Sequence, residues 1–153
     1  MREYREGDVE AMYALDLECF EPAFRFSRRA MRRFAEARGA VTVLAEVEDA
    51  NAEKPELVGF CIVQVEEQAG YVVTLDVAPG WRRQALARRL MEDAEARVQA
   101  SGSLGMELHV STGNLGAIAF YERIGYARVG MVEGFYGRGL DALVYTKRFA
   151  ARV

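Results

Sequence analysis

Hydrophobic and polar positions fall in blocks along the chain, and the period changes from block to block. After Gly7-Asp8, Val9, Met12, Leu15, Leu17 and Phe20 recur at three- and four-residue steps. That spacing predicts a helix to about Cys19 with Asp8 as its N-cap. Glu21–Phe26 carries Pro22 and aromatic residues and predicts an apolar loop, and Ser27 is placed to cap a second helix that Gly39 ends. Val41–Val47 and Leu57–Val65 are rich in Val, Ile and Phe and predict strands joined by the polar loop Glu48–Glu56. Tyr71–Val77 alternates as a further strand, which Pro79-Gly80 breaks. From Trp81 to about Ala100 no breaker interrupts a run of Ala, Leu and Arg, which predicts a long helix. Met106–Val110 predicts a short strand, and Asn114 caps a helix through Ile124 that Gly125 ends. Ala127–Val132 and Ala142–Phe149 predict two last strands joined by the Gly-rich Glu133–Leu140. With Met1–Tyr4 as a short opening strand, the order β-α-α-β-β-β-α-β-α-β-β predicts one α/β (α+β) layered domain over residues 1–153.

Composition mainly excludes. Hydrophobic residues at 51% and charged residues at 28% are those of a soluble globular chain long enough to bury a core. A net charge of −3 gives no overall pull toward nucleic acid or anionic lipid. Arg28, Arg29, Arg32 and Arg33 lack interleaved aromatic residues, so they read as a solvated face and no nucleic-acid partner is expected. No apolar stretch approaches the roughly 18 residues that span a bilayer, and the opening MREYREGDVE is too charged for a secretory signal. A cytoplasmic protein without a membrane partner is expected. Cys19 and Cys61 sit in apolar contexts without metal-ligand spacing and read as reduced thiols, with no metal expected.

The most informative stretch is Leu75–Met91, LDVAPGWRRQALARRLM. A strand ends at a Pro-Gly break and a basic segment opens a long helix. Unpaired N–H groups and the positive end of the helix dipole face that turn, which makes it a ready pyrophosphate site, with Arg82 and Arg83 adding charge. On this segment alone, an ordinary strand–turn–helix with surface arginines reads equally well. Here the residues resemble the GNAT superfamily of acetyltransferases, whose signature V-x-P-x-x-R-x-x-G-x-G/A opens the third helix and holds the coenzyme A pyrophosphate on backbone amides. Val77, Pro79, Arg82 and Ala87 match it, and Ala85 stands where the first glycine usually does. The added methyl crowds the phosphate path and loses glycine's freedom at positive φ, so weakened rather than abolished cofactor binding is expected. A second block, Leu108–Tyr126 (LHVSTGNLGAIAFYERIGY), resembles the family's later motif through Asn114, Ala117, Phe120, Tyr121, Gly125 and Tyr126. The resemblance covers nearly the whole chain in element order. It implies the GNAT fold, a mixed, mostly antiparallel twisted sheet of about seven strands with four helices. It also implies acetyl-CoA as cofactor, held by Leu75, Val77, Arg82, Arg83, Gln84, Ala85, Leu86, Ala87, Asn114 and Tyr121.

Acetyl transfer to an amine needs the thioester carbonyl polarised, the amine deprotonated and the leaving thiolate protonated. The resemblance implies Tyr121 as the acid at the sulfur, against the plainer reading of an aromatic packing residue. Asn114 is a helix cap that also stands where the family bonds a water or the pantetheine arm. His109, the single histidine, falls where ribosomal-protein alanine (RimI-like) N-acetyltransferases carry a glutamate base. A eukaryotic subfamily acting on Met-starting chains has histidine there, working through water with a tyrosine matched by Tyr71. A packed or solvent-facing histidine is the alternative, and Glu107 on the same strand face is a reserve base. The family also leaves a backbone N–H free near the motif valine, here Val77, because that strand splays from its neighbour.

For the acceptor, the resemblance points to Phe20, Glu21, Pro22 and Phe24 in the first interhelical loop and to Phe135 and Tyr136 in the last hairpin. These aromatics also read as residues closing the core. Leu140 replaces the family's usual glutamate in FYGRGLDALVY. An α-amine, with a pKa near 8, is partly neutral at pH 7, whereas lysine needs roughly 3.5 kcal/mol more help. Together these imply an N-acetyltransferase acting on the N-terminal α-amine of a protein or peptide, by direct transfer. A small-amine acetyltransferase (polyamine, amino acid or antibiotic) and a coenzyme-A-binding module with little catalysis are the other readings. Monomer and homodimer both stay open.

Overall fold

The computed structural model describes residues 1–83 and 85–150. Strands β1 (Arg2–Glu3), β2 (Ala40–Val47), β3 (Glu56–Glu66), β4 (Ala69–Val77), β5 (Gly105–Ser111), β6 (Ala127–Gly137) and β7 (Leu140–Arg148) join helices α1 (Val9–Cys19), α2 (Arg28–Ala35), α3 (Leu86–Ala100) and α4 (Leu115–Arg123). The predicted order of elements holds throughout. Among the described residues the strands form one sheet, ordered β1-β2-β3-β4-β5-β7-β6, antiparallel except where β4 meets β5.

Period-two alternation puts a separate core on each face of this sheet. Val43, Cys61 and Val63 face α3, where Leu90, Met91, Ala94 and Val98 are fully buried. Their neighbours Leu44, Phe60 and Ile62 face α1 and α2 and pack on Met12, Leu15, Met31 and Ala35. Phe60 is fully buried, and withdrawing a ring of that size from water contributes about 1.5–3 kcal/mol. No described helix is long and apolar enough to cross a membrane.

The differences from the predicted elements have local causes. The long helix begins at Leu86, not Trp81: Pro79–Trp81 forms a 3₁₀ turn, and Arg83 and Ala85 both hold φ 64°, which a right-handed helix excludes. On α1, Asp16 is buried and Leu17 lies 39% exposed, because 9, 12 and 16 share one stripe and 17 falls beside it. Helix α2 ends at Ala35, before Gly39. Gly39 turns the chain into β2 at φ 83°, where a Cβ would stand 2.9 Å from the Val65 carbonyl oxygen. Strand β6 continues through the stretch predicted as loop, to Gly137.

Two irregularities shape the ground for a site. Thr74 faces Ile62 while Val72 faces Val63, so Val73 is an extra residue on β4. A bulge bends the strand that carries it. Pairing with β5 stops there, the last partners being Tyr71 with Glu107 and Val72 with Leu108. Beyond this point β4 and β5 part. On the hairpin, Val132 faces Ala142 but Gly137 faces Leu140, so β6 carries extra residues that lift Phe135 and Tyr136 off the ladder.

Candidate active site

Where β4 runs on past its pairing with β5, it lines a cleft of about 870 Å³. Leu75, Val77, Arg82, Arg83, Ala85, Leu86, Ala87, Asn114 and Tyr121 line it. Every residue expected to hold a cofactor is therefore on its wall, except Gln84, which lies outside the described residues. Cys19, Trp81, Arg88 and Phe120 line it too, none of them expected, and so does Phe20, which was expected on the acceptor side. The approach to α3 is extended at Arg82 and left-handed at Arg83 and Ala85. Such turns bring backbone N–H groups into a concavity that takes anions, next to the positive end of the fifteen-residue helix α3. The Arg82 guanidinium donates to the Val77 carbonyl at 3.2 Å, as does the Cys19 thiol at 3.3 Å.

Strand parity decides where the Val77 amide points. Ala78 donates to Val58 at 2.8 Å, so Asp76 and Thr74 are the next residues of β4 whose backbones bond to β3. Leu75 and Val77 turn theirs to the other side, where β5 has withdrawn. Tyr121 reaches the cleft from α4 although it is 8% exposed, and burial raises its phenol well above the ordinary value. It therefore stays protonated at any working pH. The Asn114 side chain accepts from Ala117 N–H at 3.1 Å, so it caps α4 as expected while also lining the cleft.

On the other face of the sheet, five rings run in sequence. Phe24 meets Tyr136 edge-on at 4.9 Å, and Tyr136 meets Phe135 at 4.9 Å. Phe135 lies flat on His109, with centroids 4.1 Å apart and planes 4° from parallel. His109 Nδ1 and Tyr71 Oη are hydrogen-bonded to each other at 2.8 Å. Burial pushes Tyr71 up to about 12, and it holds the His109 imidazole below the ordinary histidine value despite the opposing pull of Glu107. Both groups are thus neutral at pH 7. Glu21 and Pro22 lie exposed on the short turn that presents Phe24.

A pair of acids escaped notice in the sequence. Asp16 of α1 and Asp76 of β4 are both fully buried. Asp76 accepts from the Thr74 hydroxyl at 2.6 Å, and Asp16 accepts from the Phe26 amide at 2.9 Å, which anchors the end of the α1–α2 loop. One oxygen of each is left without another partner. Burial and the neighbouring Asp16 push Asp76 well above the carboxylate range, so Asp76 is the acid that holds its proton. The available signal was an aspartate set among apolar neighbours, in Leu15-Asp16-Leu17 and Leu75-Asp76-Val77.

Known proteins share this fold. The N-terminal acetyltransferase B complex catalytic subunit naa20 of Schizosaccharomyces pombe is 31% identical over 97 residues, 61% of this chain. The match spans 54% of that protein's length, so the chain covers about half of such curated relatives. Among solved structures, the ribosomal-protein-S18-alanine N-acetyltransferase of Escherichia coli superposes with a TM-score of 0.83 at 20% identity, over 99% of this chain and 94% of that one. An aminoglycoside 6′-N-acetyltransferase complexed with coenzyme A gives 0.79 at 17% identity, over 99% and 98%. These likenesses show the fold. Residues 9–126 match the model of the acetyltransferase (GNAT) family. With both motifs on one cleft between parted strands, the chain belongs to the GNAT acetyltransferase family.

Proposed function

We propose that this protein transfers the acetyl group of acetyl-CoA to the N-terminal α-amine of a protein or peptide. One observation carries the reading: a neutral imidazole–phenol pair, His109 and Tyr71, sits where β4 and β5 separate, across the sheet from the Tyr121 cleft. The cleft suits a coenzyme: left-handed residues and arginines at the front of α3 for a diphosphate, and an apolar wall of Leu75, Val77 and Phe120 for the arm behind it.

When bound, the thioester supplies an activated acetyl carbon, and the rest falls to the chain. The Val77 N–H, turned to the side that β5 has left, would hold the carbonyl oxygen of a bound thioester. The His109–Tyr71 pair takes the proton that the amine loses as its nitrogen bonds to carbon. If Nδ1–H donates to the phenol, the Nε2 lone pair accepts. If the phenol donates to Nδ1, its oxygen accepts and passes its own proton on. Either way the proton ends on the imidazole. Tyr121 would lend its phenol proton to the leaving sulfur and recover one through water as the imidazolium gives up the proton taken from the amine. Cys19 lines the cleft, but burial raises its thiol to about 11, so it is no nucleophile at neutral pH and transfer is direct. The phenol–imidazole pair meets the modest demand of an α-amine near pKa 8 better than that of a lysine. Two free cysteines, one fully buried, fit a cytoplasmic setting.

The test is a peptide library with random N-termini, incubated with acetyl-CoA and the protein beside a pool of polyamines, amino acids and aminoglycosides, and read by mass spectrometry. Acetylated peptide termini are expected. Acetylated small amines alone would give the site to a small acceptor, and coenzyme binding without product would make it a binding module.

A further inference from the structure

The flat contact between Phe135 and His109 belongs to neither buried core. Phe135 lies on the sheet's outermost strand and stays 43% exposed, so its ring adds little to either core. Its aim is nevertheless built with care. The extra residues of β6 between Val132 and Gly137 raise it from the ladder. Gly134, at φ 64°, turns the chain, and its N–H donates to Asp141 Oδ1 at 2.9 Å. The Asp141 carbonyl in turn accepts from Thr112 N–H at 3.1 Å, just past the end of β5 on which His109 stands.

We propose that Phe135 is a positioning residue for the His109–Tyr71 pair: stacked on the imidazole, it sets the plane in which that pair meets the acceptor amine. The proposal rests on the acetyltransferase reading above and deepens it. A ring tied at Nδ1 alone can still swing about that bond. A second ring lying 4.1 Å away and 4° from parallel removes the swing, while Tyr71 closes the edge at a 5.4 Å centroid distance. The free edge of the imidazole then points one way. Phe135 also covers one face of the ring from water. The titratable groups against His109 are Tyr71 from β4 and Glu107 from its own strand β5, with Tyr136 beside Phe135 on β6 and next to Tyr71. Glu107 favours the imidazolium and burial of the ring opposes it.

His109 is the chain's single histidine, so its ¹⁵N and ¹H ring signals report the site without assignment ambiguity. In the free protein, Phe135→Ala and Phe135→Leu are compared with the parent, and thermal unfolding confirms that each is folded. The expected result for Phe135→Ala is a His109 titration midpoint moved up toward that of an exposed histidine, with a changed tautomer ratio. Phe135→Tyr, which keeps the ring, returns both to the parent's values. In turnover, Phe135→Ala loses about tenfold in kcat with the KM for acetyl-CoA unchanged, the scale of a misdirected catalytic group. An unchanged midpoint and tautomer ratio in both truncations, with only the KM for peptide raised, would overturn the proposal and make Phe135 a wall of the acceptor groove. If no variant turns over any amine, the acetyltransferase reading has failed, and the ring signals still decide whether Phe135 positions His109.

Discussion

Ala85→Gly tests the proposed pyrophosphate loop at one of its two left-handed residues. Ala85 caps α3 at φ 64° and ψ 8°, in the left-handed region. An L-residue there pays roughly 1–2 kcal/mol that glycine avoids. Glycine returns about 0.4–1 kcal/mol of this by loosening the unfolded chain. The net is a gain of roughly 0.5–1 kcal/mol, or about 1–4 °C in Tm for a chain of this size. Removing the methyl from the cleft wall also widens the approach to the backbone amides. Coenzyme A is then expected to bind about two- to tenfold tighter, which is roughly 0.4–1.4 kcal/mol. Arg83→Gly separates strain from charge: it relieves the same φ of 64° but removes a cation from the cleft. It should raise Tm while weakening binding. The assays are thermal unfolding without ligand and calorimetric titration with coenzyme A at fixed salt. A glycine at 85 that lowers Tm and also weakens binding would refute the reasoning, since the alanine would then be preorganising the loop rather than straining it.

Two further predictions follow from the buried groups. Tyr121→Phe should leave coenzyme A affinity within about twofold and cut kcat by roughly a hundredfold or more, the usual reach of a positioned acid. Stopped-flow binding beside steady-state turnover checks this, and an undiminished kcat would take Tyr121 out of the chemistry. Asp76→Asn should stabilise the fold increasingly as pH rises. The folded Asp76 keeps its proton above the value near 3.8 at which the unfolded chain releases it, so the parent loses stability as pH climbs from there toward the raised folded value. An amide accepts from Thr74 and donates to Asp16 without that penalty, so a gain of about 1–3 kcal/mol at pH 8 and little or none at pH 4 is expected. Denaturant melts at both values decide it, and a loss at pH 8 would mean that Asp76 is ionised in the folded protein.

Much of this was legible in the chain because it rests on local physics. Period and breakers located the elements: Val43 and Leu44 alternate into separate cores, Asn114 caps its helix, and Gly125 ends it at φ 100°. Both motifs named residues that line the cleft because each is a short run that shapes its own turn. Tertiary structure decided what no local pattern encodes. The helix start moved from Trp81 to Leu86 because two left-handed residues interrupt a run whose propensities are helical. Val73 is an extra residue only by reference to β3, and that one mismatch parts β4 from β5. Tyr71 and His109 lie 38 positions apart and touch at 2.8 Å because parallel pairing sets Tyr71 beside Glu107, two residues before the histidine. Asp16 and Asp76 meet because α1 packs across β4, and the Phe135 stack exists because a bulge on an edge strand lifts one ring onto another. Sequence spacing governs contacts within one turn or one strand, and contacts between elements wait on register.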